Sequence, residues 1–112
     1  HVTGDGLAAA LLLCRALAGR TLAAAVGAMP RFPQVKANIH VDGHDGKAIA
    51  RAVQAEVARL NAELAGSGRV LVRPSGTEPL VRVLAEAESR EAAAALSATV
   101  ERLVRQEFEQ TA

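Results

Sequence analysis

The sequence predicts an α+β domain of two layers: a small, largely antiparallel sheet with two helices on one face, preceded by a helical segment. Residues 34–42 and 80–88 alternate apolar and polar side chains, which is typical of strands with one wet face. Residues 47–64 and the segment after Ser89 instead carry apolar residues at spacings of three and four, which indicates amphipathic helices. A strand, helix, strand, strand, helix order favours two layers around one core.

Composition narrows the class of protein. Half of the 112 residues are apolar, so the chain is globular and long enough for one domain plus part of another. The net charge is +1 with both signs interspersed, which gives no electrostatic reason to expect nucleic acid or a membrane surface as a partner. A single cysteine, Cys14, rules out an internal disulfide and a cysteine zinc site. We therefore expect a cytoplasmic protein, since reducing compartments disfavour disulfides.

The first thirty residues are predicted to be helical. Asp5 is a candidate N-cap for a helix over Leu7–Ala18, and Thr21 is a candidate N-cap for a shorter helix that ends at Met29. The first helix is apolar almost all round, so it requires partners on most of its faces. We interpret residues 1–30 as the helical end of a preceding domain in a longer protein, and 31–112 as a C-terminal domain.

A hinge is predicted at Met29–Pro33. Pro30 and Pro33 exclude helix and favour an extended connector between the two domains.

The strand at Gln34–Asp42 is followed by turn residues and then by one long helix, Lys47–Leu64. His40 and His44 lie near two aspartates, but histidines at a solvent-exposed strand end are more often solvated than metal-bound, so no metal site is predicted.

The final helix is predicted to begin after the N-cap Ser89. Its inner stripe comprises Leu96, Val100, Leu103, Val104 and Phe108.

The stretch with the richest chemistry is the loop between the second and third strands, Arg73-Pro74-Ser75-Gly76-Thr77-Glu78-Pro79. A guanidinium offers a planar fork of donors to a phosphate, and two hydroxyls add further donors. A glycine permits positive φ, which would turn backbone N–H groups inward as an anion nest. The same residues also suit an ordinary solvated turn. The candidate phosphate-binding residues are Arg73, Ser75, Gly76 and Thr77.

The loop sequence, with the Leu80-Val81-Arg82-Val83 that follows, resembles the phosphate-binding loop in the fourth, C-terminal domain of the α-D-phosphohexomutases. Phe32-Pro33-Gln34 before the first strand, and Gly rather than Asn at position 76, are most similar to the phosphoglucosamine mutase branch of that family.

The resemblance implies a parent enzyme that interconverts glucosamine 6-phosphate and glucosamine 1-phosphate through a bisphosphate intermediate. Its phosphoserine, its Mg²⁺ and its sugar-recognition loop would lie in preceding domains, which are the expected partners of this chain. No catalytic residue or metal ligand is assigned here. Arg73, Ser75, Gly76 and Thr77 would hold the non-reacting phosphate of the sugar phosphate substrate, and Glu78 would orient Arg73 or the loop backbone.

Two alternatives remain open. The parent enzyme could act on glucose or mannose phosphates, since the discriminating loop would lie upstream. The domain could instead be a small α+β interaction module without catalysis, or an RNA-binding one. Sheets that bind RNA stack bases on exposed aromatic residues, and the wet strand faces of this sequence carry none.

Overall fold

A computed structural model describes residues 4–27 and 31–111. The chain divides into two compact units, residues 1–31 and 32–112. In the predicted hinge, Met29 and Pro30 lie outside the described residues, so the hinge and the domain boundary stay predictions.

The first unit contains helices α1 (Gly6–Leu17) and α2 (Leu22–Val26). Both predicted caps are present: the Asp5 carboxylate accepts from Ala8 N at 3.0 Å, and Thr21 Oγ1 accepts from Ala24 N at 3.2 Å. α2 is shorter than predicted, because Gly27 forms its C-cap. No described side chain of α1 is buried, and three of its leucines are more than 60% exposed: Leu7, Leu11 and Leu12.

The second unit is built on a three-stranded antiparallel sheet with the order β1-β3-β2. The strands are β1 (Gln34–His40), β2 (Gly68–Pro74) and β3 (Leu80–Ala87). Ala37 and Val72 both pair with Val83, so the inward side chains of the three strands line up on one face. The predicted antiparallel sheet and α+β class are confirmed.

Three helices accompany the sheet: α3 (Gly46–Ala52), α4 (Gln54–Leu64) and α5 (Arg90–Thr111). The prediction of one helix over Lys47–Leu64 is wrong in one respect. The helix divides at Val53, whose ψ of −5° departs from the helical value, although Val53 N still donates to Ile49 O at 3.4 Å and Val57 N donates to Val53 O at 3.0 Å. Because of this break, α3 packs on β2, β3 and α5, while α4 packs along β2.

The core lies between the helices and one face of the sheet. It is aliphatic and valine-rich, and five of its valines are at most 2% exposed: Val41, Val81, Val83, Val100 and Val104. Leu96, Leu103 and Phe108 of the predicted α5 stripe pack against it. The uncovered face of the sheet carries Gln34, Lys36, Asn38, Arg69, Leu71, Arg73, Arg82, Leu84 and Glu86.

Side chains of α4 cover the outer edge of β2. Asn61 donates to Val70 O at 3.0 Å and accepts from Val70 N at 2.7 Å, and Gln54 Nε2 donates to Val72 O at 3.2 Å. These bonds satisfy backbone groups that an edge strand would otherwise leave open. They also fix the part of β2 that immediately precedes Arg73, near the end of the strand.

No helix within the described ranges combines the length and the apolar character needed to cross a bilayer.

Candidate functional site

The site is the loop that joins β2 to β3, and hydrogen bonds fix its base. Ser75 N donates to Leu80 O at 2.9 Å, and Leu80 N donates to Glu78 O at 2.8 Å. Val41 N, from the end of β1, donates to Pro79 O at 2.9 Å. Since Val41 is fully buried, this last bond ties the loop directly to the core.

The structure brings all four predicted site residues to one small cavity of about 180 Å³. Its lining comprises Arg73, Pro74, Ser75, Gly76, Thr77 and Arg82. The volume lies below the roughly 300–1,000 Å³ of pockets that enclose whole small-molecule ligands. The cavity therefore suits a single compact group, with the remainder of a ligand outside it.

Arg73 is the main free donor of the site. It is the last residue but one of β2 and is exposed, and its side chain makes no hydrogen bond or ion pair with any described residue. An unpaired guanidinium keeps its fork of N–H donors available for an anion.

Arg82 is a site residue that the sequence reasoning missed. It pairs directly with Arg73 in the β2–β3 register, so the two side chains emerge side by side on the uncovered face. Its Nη2 donates to Ser75 Oγ at 3.4 Å and to Glu78 Oε2 at 3.1 Å. Pairing the two predicted strands as a hairpin about the loop would have placed Arg82 opposite Arg73.

Two details of the loop prediction are wrong. Gly76 does not have a positive φ, so the argument for an anion nest at that residue fails. Its position is instead open, with no atom within 4 Å of where a Cβ would lie, and this leaves room beside the cavity. The carboxylate of Glu78 binds Arg82 and not Arg73.

A second, larger groove of about 400 Å³ runs along the uncovered sheet face and shares Arg73 and Arg82 with the loop cavity. At one end of this face, Glu86 accepts hydrogen bonds from Arg69 and Gln34. The bond from Arg69 is the main reason that the pKa of the Glu86 carboxyl lies below its usual value. Arg69 is therefore ion-paired with Glu86, whereas the side chain of Arg73 has no ion-pair partner among the described residues.

Among the described residues, no group of three or more His, Cys, Asp or Glu side chains is placed to hold a metal ion. His40 is exposed at the end of β1. His44 contacts Asp42 O at 3.0 Å through Nδ1, and its ring centroid lies 4.5 Å from that of Phe108. These residues therefore do not fit a Mg²⁺ site.

The sequence matches the protein family described as phosphoglucomutase/phosphomannomutase, C-terminal domain, over residues 23–103. The chain belongs to this family. The match spans both strands that flank the loop, so the cavity lies inside the phosphoglucomutase/phosphomannomutase C-terminal domain.

Curated bacterial relatives carry the name phosphoglucosamine mutase. The protein from Moorella thermoacetica is 46% identical over 93 residues, and the one from Exiguobacterium sibiricum is 43% identical over 108 residues. These alignments cover 81% and 95% of this chain but only 21% and 24% of the relatives. The chain thus spans roughly a fifth to a quarter of their length.

The solved structures that it resembles include N-acetylphosphoglucosamine mutase of Aspergillus fumigatus, in complex with GlcNAc-6P and magnesium. The TM-score is 0.70 at 28% identity, and the likeness covers 94% of this chain and 22% of that one. A variant of the same enzyme in complex with glucose 1,6-bisphosphate gives a TM-score of 0.64. The predicted membership of the phosphohexomutases is therefore confirmed.

Proposed function

We propose that the loop cavity binds the phosphate group of a sugar phosphate. The observation that carries the proposal is that two arginines, Arg73 and Arg82, line one 180 Å³ cavity together with the loop residues Ser75, Gly76 and Thr77. Two cations directly opposite each other across strands repel. An anion bound between them would remove that repulsion and accept charge-assisted hydrogen bonds from both.

The expected affinity for phosphate alone is low. Charge-assisted hydrogen bonds contribute about 1.5–3 kcal/mol each at best, and those in a loop open to water contribute less. The loss of ligand freedom offsets much of that gain. A net of ~4 kcal/mol corresponds to a millimolar dissociation constant.

We further propose that the whole protein is a phosphoglucosamine mutase that interconverts glucosamine 6-phosphate and glucosamine 1-phosphate through a bisphosphate intermediate. The names and identities of the bacterial relatives support this reading. In this assignment residues 1–30 end a third domain, and 31–112 form the fourth. The phosphoserine and the Mg²⁺ site would belong to preceding domains of a cytoplasmic enzyme, and the chain alone would be inactive.

The contribution of this domain is binding at a distance from the reaction. Energy gained at the non-reacting phosphate can position the sugar and close the cleft, which raises the rate at the other end of the substrate. The bisphosphate must present either phosphate to the same serine, so this site must accept a phosphate from either end of the sugar. A ring of donors around a compact cavity recognises the phosphate without requiring one orientation of the sugar.

The test is a mutase assay of the full-length protein with glucosamine 6-phosphate. Glucose 6-phosphate and mannose 6-phosphate serve as competing substrates, and Arg73→Ala as the site variant. We expect preference for glucosamine 6-phosphate, and a KM raised at least tenfold by Arg73→Ala, because the removed guanidinium contacts the phosphate throughout. Preference for another hexose phosphate would overturn the assigned substrate. Unchanged KM and kcat in Arg73→Ala would overturn the phosphate site.

A further inference from the structure

Glu78 contacts a residue that lines the loop cavity but does not line the cavity itself. Its Oε2 lies 3.1 Å from Arg82 Nη2, yet the cavity lining includes Arg82 and excludes Glu78. The carboxylate therefore contacts the guanidinium of a lining residue without lining the cavity itself.

Arg82 requires such a restraint, because it lies directly opposite another cation. Arg73 and Arg82 form a register pair on the same face, and like charges in that arrangement push each other away. A long arginine side chain has many rotamers into which it can turn from a repelling neighbour. Two acceptors on Nη2, Ser75 Oγ at 3.4 Å and Glu78 Oε2, oppose that movement.

The side-chain hydrogen bonds of Arg82 to described residues both start from one guanidinium nitrogen, Nη2. Its Nε is buried and makes no hydrogen bond within the part of the chain that the structure describes, and the two side-chain hydrogen bonds found there both use Nη2. Loss of the Glu78 contact would leave only the longer bond to Ser75.

Hydrogen bonds hold the backbone of Glu78 and of the next residue in place, so the side chain of Glu78 starts from a fixed position. Its carbonyl accepts from Leu80 N at 2.8 Å, and the next carbonyl, that of Pro79, accepts from the buried Val41 at 2.9 Å. The side chain of Glu78 is more than half exposed, and among the described residues its carboxylate bonds only to Arg82.

We propose that Glu78 is a positioning residue that holds Arg82 toward the loop cavity and thereby raises phosphate affinity without touching phosphate. The proposal rests on the proposed phosphate site. A carboxylate beside an anion site also repels the anion, but Glu78 lies outside the lining and is exposed to water, which screens its charge. Its restraint of Arg82 is therefore the larger effect.

The experiment measures the dissociation constant for inorganic phosphate in the full chain by NMR titration, in wild type, Glu78→Ala, Glu78→Gln, Arg82→Gln and Glu78→Ala/Arg82→Gln. Exposed ion pairs have coupling energies that correspond to roughly a 1.5- to 5-fold change. We therefore expect Glu78→Ala to weaken binding three- to fivefold. Glu78→Gln should stay within twofold of wild type, because its amide oxygen still accepts from Nη2.

The double variant decides whether Glu78 acts through Arg82. In the Arg82→Gln background, Glu78→Ala should cause no further weakening. Glu88→Ala is the matched control: it removes the same charge from an exposed residue just beyond β3 and should not weaken binding. The Arg82 Nε–Hε resonance should shift in Glu78→Ala, while the far-UV circular dichroism stays unchanged.

Binding by Glu78→Ala as tight as wild type, or tighter, would overturn the inference and leave the phosphate site intact. Equal weakening by Glu78→Ala with and without Arg82 would also overturn it. If wild type binds no phosphate, or if Arg73→Ala binds it equally well, the proposed function itself fails and this inference fails with it.

Discussion

Replacing Asn61 by alanine should destabilise the domain through the edge of β2. Asn61 makes two hydrogen bonds to the backbone of Val70, at 3.0 and 2.7 Å, and both groups of Val70 lie on a strand with no other strand beyond it. The alanine variant removes the donor and the acceptor together. It leaves the main-chain N–H and C=O of a buried residue without these partners.

The magnitude follows from two opposing effects. Two hydrogen bonds contribute about 0.5–1.5 kcal/mol each, or roughly 2 kcal/mol together. Alanine is a better helix former than asparagine inside α4, which offsets about 0.5 kcal/mol. The net loss is about 1.5 kcal/mol, which for a domain of this size lowers Tm by roughly 6–12 °C.

Urea and thermal unfolding followed by circular dichroism would measure this change. Gln106→Ala is the control, since it removes an amide side chain from an exposed position of another helix and should stay within about 0.5 kcal/mol of wild type. A loss below about 0.5 kcal/mol in Asn61→Ala would show that water replaces the asparagine at the strand edge. The argument that α4 fixes β2 would then be refuted.

Three further predictions concern the sheet and the first helix. Gly68→Ala should destabilise strongly, because a Cβ there would lie 2.3 Å from the backbone oxygen of Glu86; urea midpoints near wild type would contradict the register. Glu86→Gln should flatten the acid dependence of stability. The pKa of Glu86 is lowered in the folded state, so its stabilisation is present above the unfolded value of about 4.3 and is lost as pH falls through the folded pKa. Unfolding at pH 6 and pH 3 tests this, and an unchanged slope would show that the bond from Arg69 does not matter. A chain that starts at Arg31 should be at least as stable and soluble as the whole, because no described side chain of α1 is buried; a large loss of stability would show that α1 belongs to the same core.

The sequence predicted the fold well where a single repeat of apolar residues, or a capping side chain, is enough to identify a strand or helix. The alternation in β1 and β3 fixes which side chains face the core, and Asp5, Thr21 and Ser89 cap helices as expected from their side-chain oxygens. The break at Val53 was not predicted, because the apolar stripe continues through it without Gly or Pro. Such a break depends on how α3 and α4 each meet the sheet, which is tertiary information.

In the candidate site too, features set by local sequence were predicted and features set by tertiary contacts were not. The local loop sequence was sufficient to place Arg73, Ser75, Gly76 and Thr77 around one cavity. Arg82 lies nine positions after Arg73 and joins them only through strand register, so motif reading alone did not find it. The prediction that Glu78 orients Arg73 or the loop backbone missed Arg82 for the same reason, since the carboxylate bonds to Arg82 in the structure.

The central claim, that this loop binds phosphate, is tested most directly by titrating inorganic phosphate into the full chain and following backbone amide and arginine side-chain NMR signals. The account predicts shifts that cluster on residues 73–77 and Arg82, with a dissociation constant of about a millimolar. Arg73→Ala should abolish binding with the fold intact, and Arg73→Lys should recover only part of it, since the planar fork is lost. Shifts that cluster on another surface, or binding by Arg73→Ala as tight as wild type, would contradict the account.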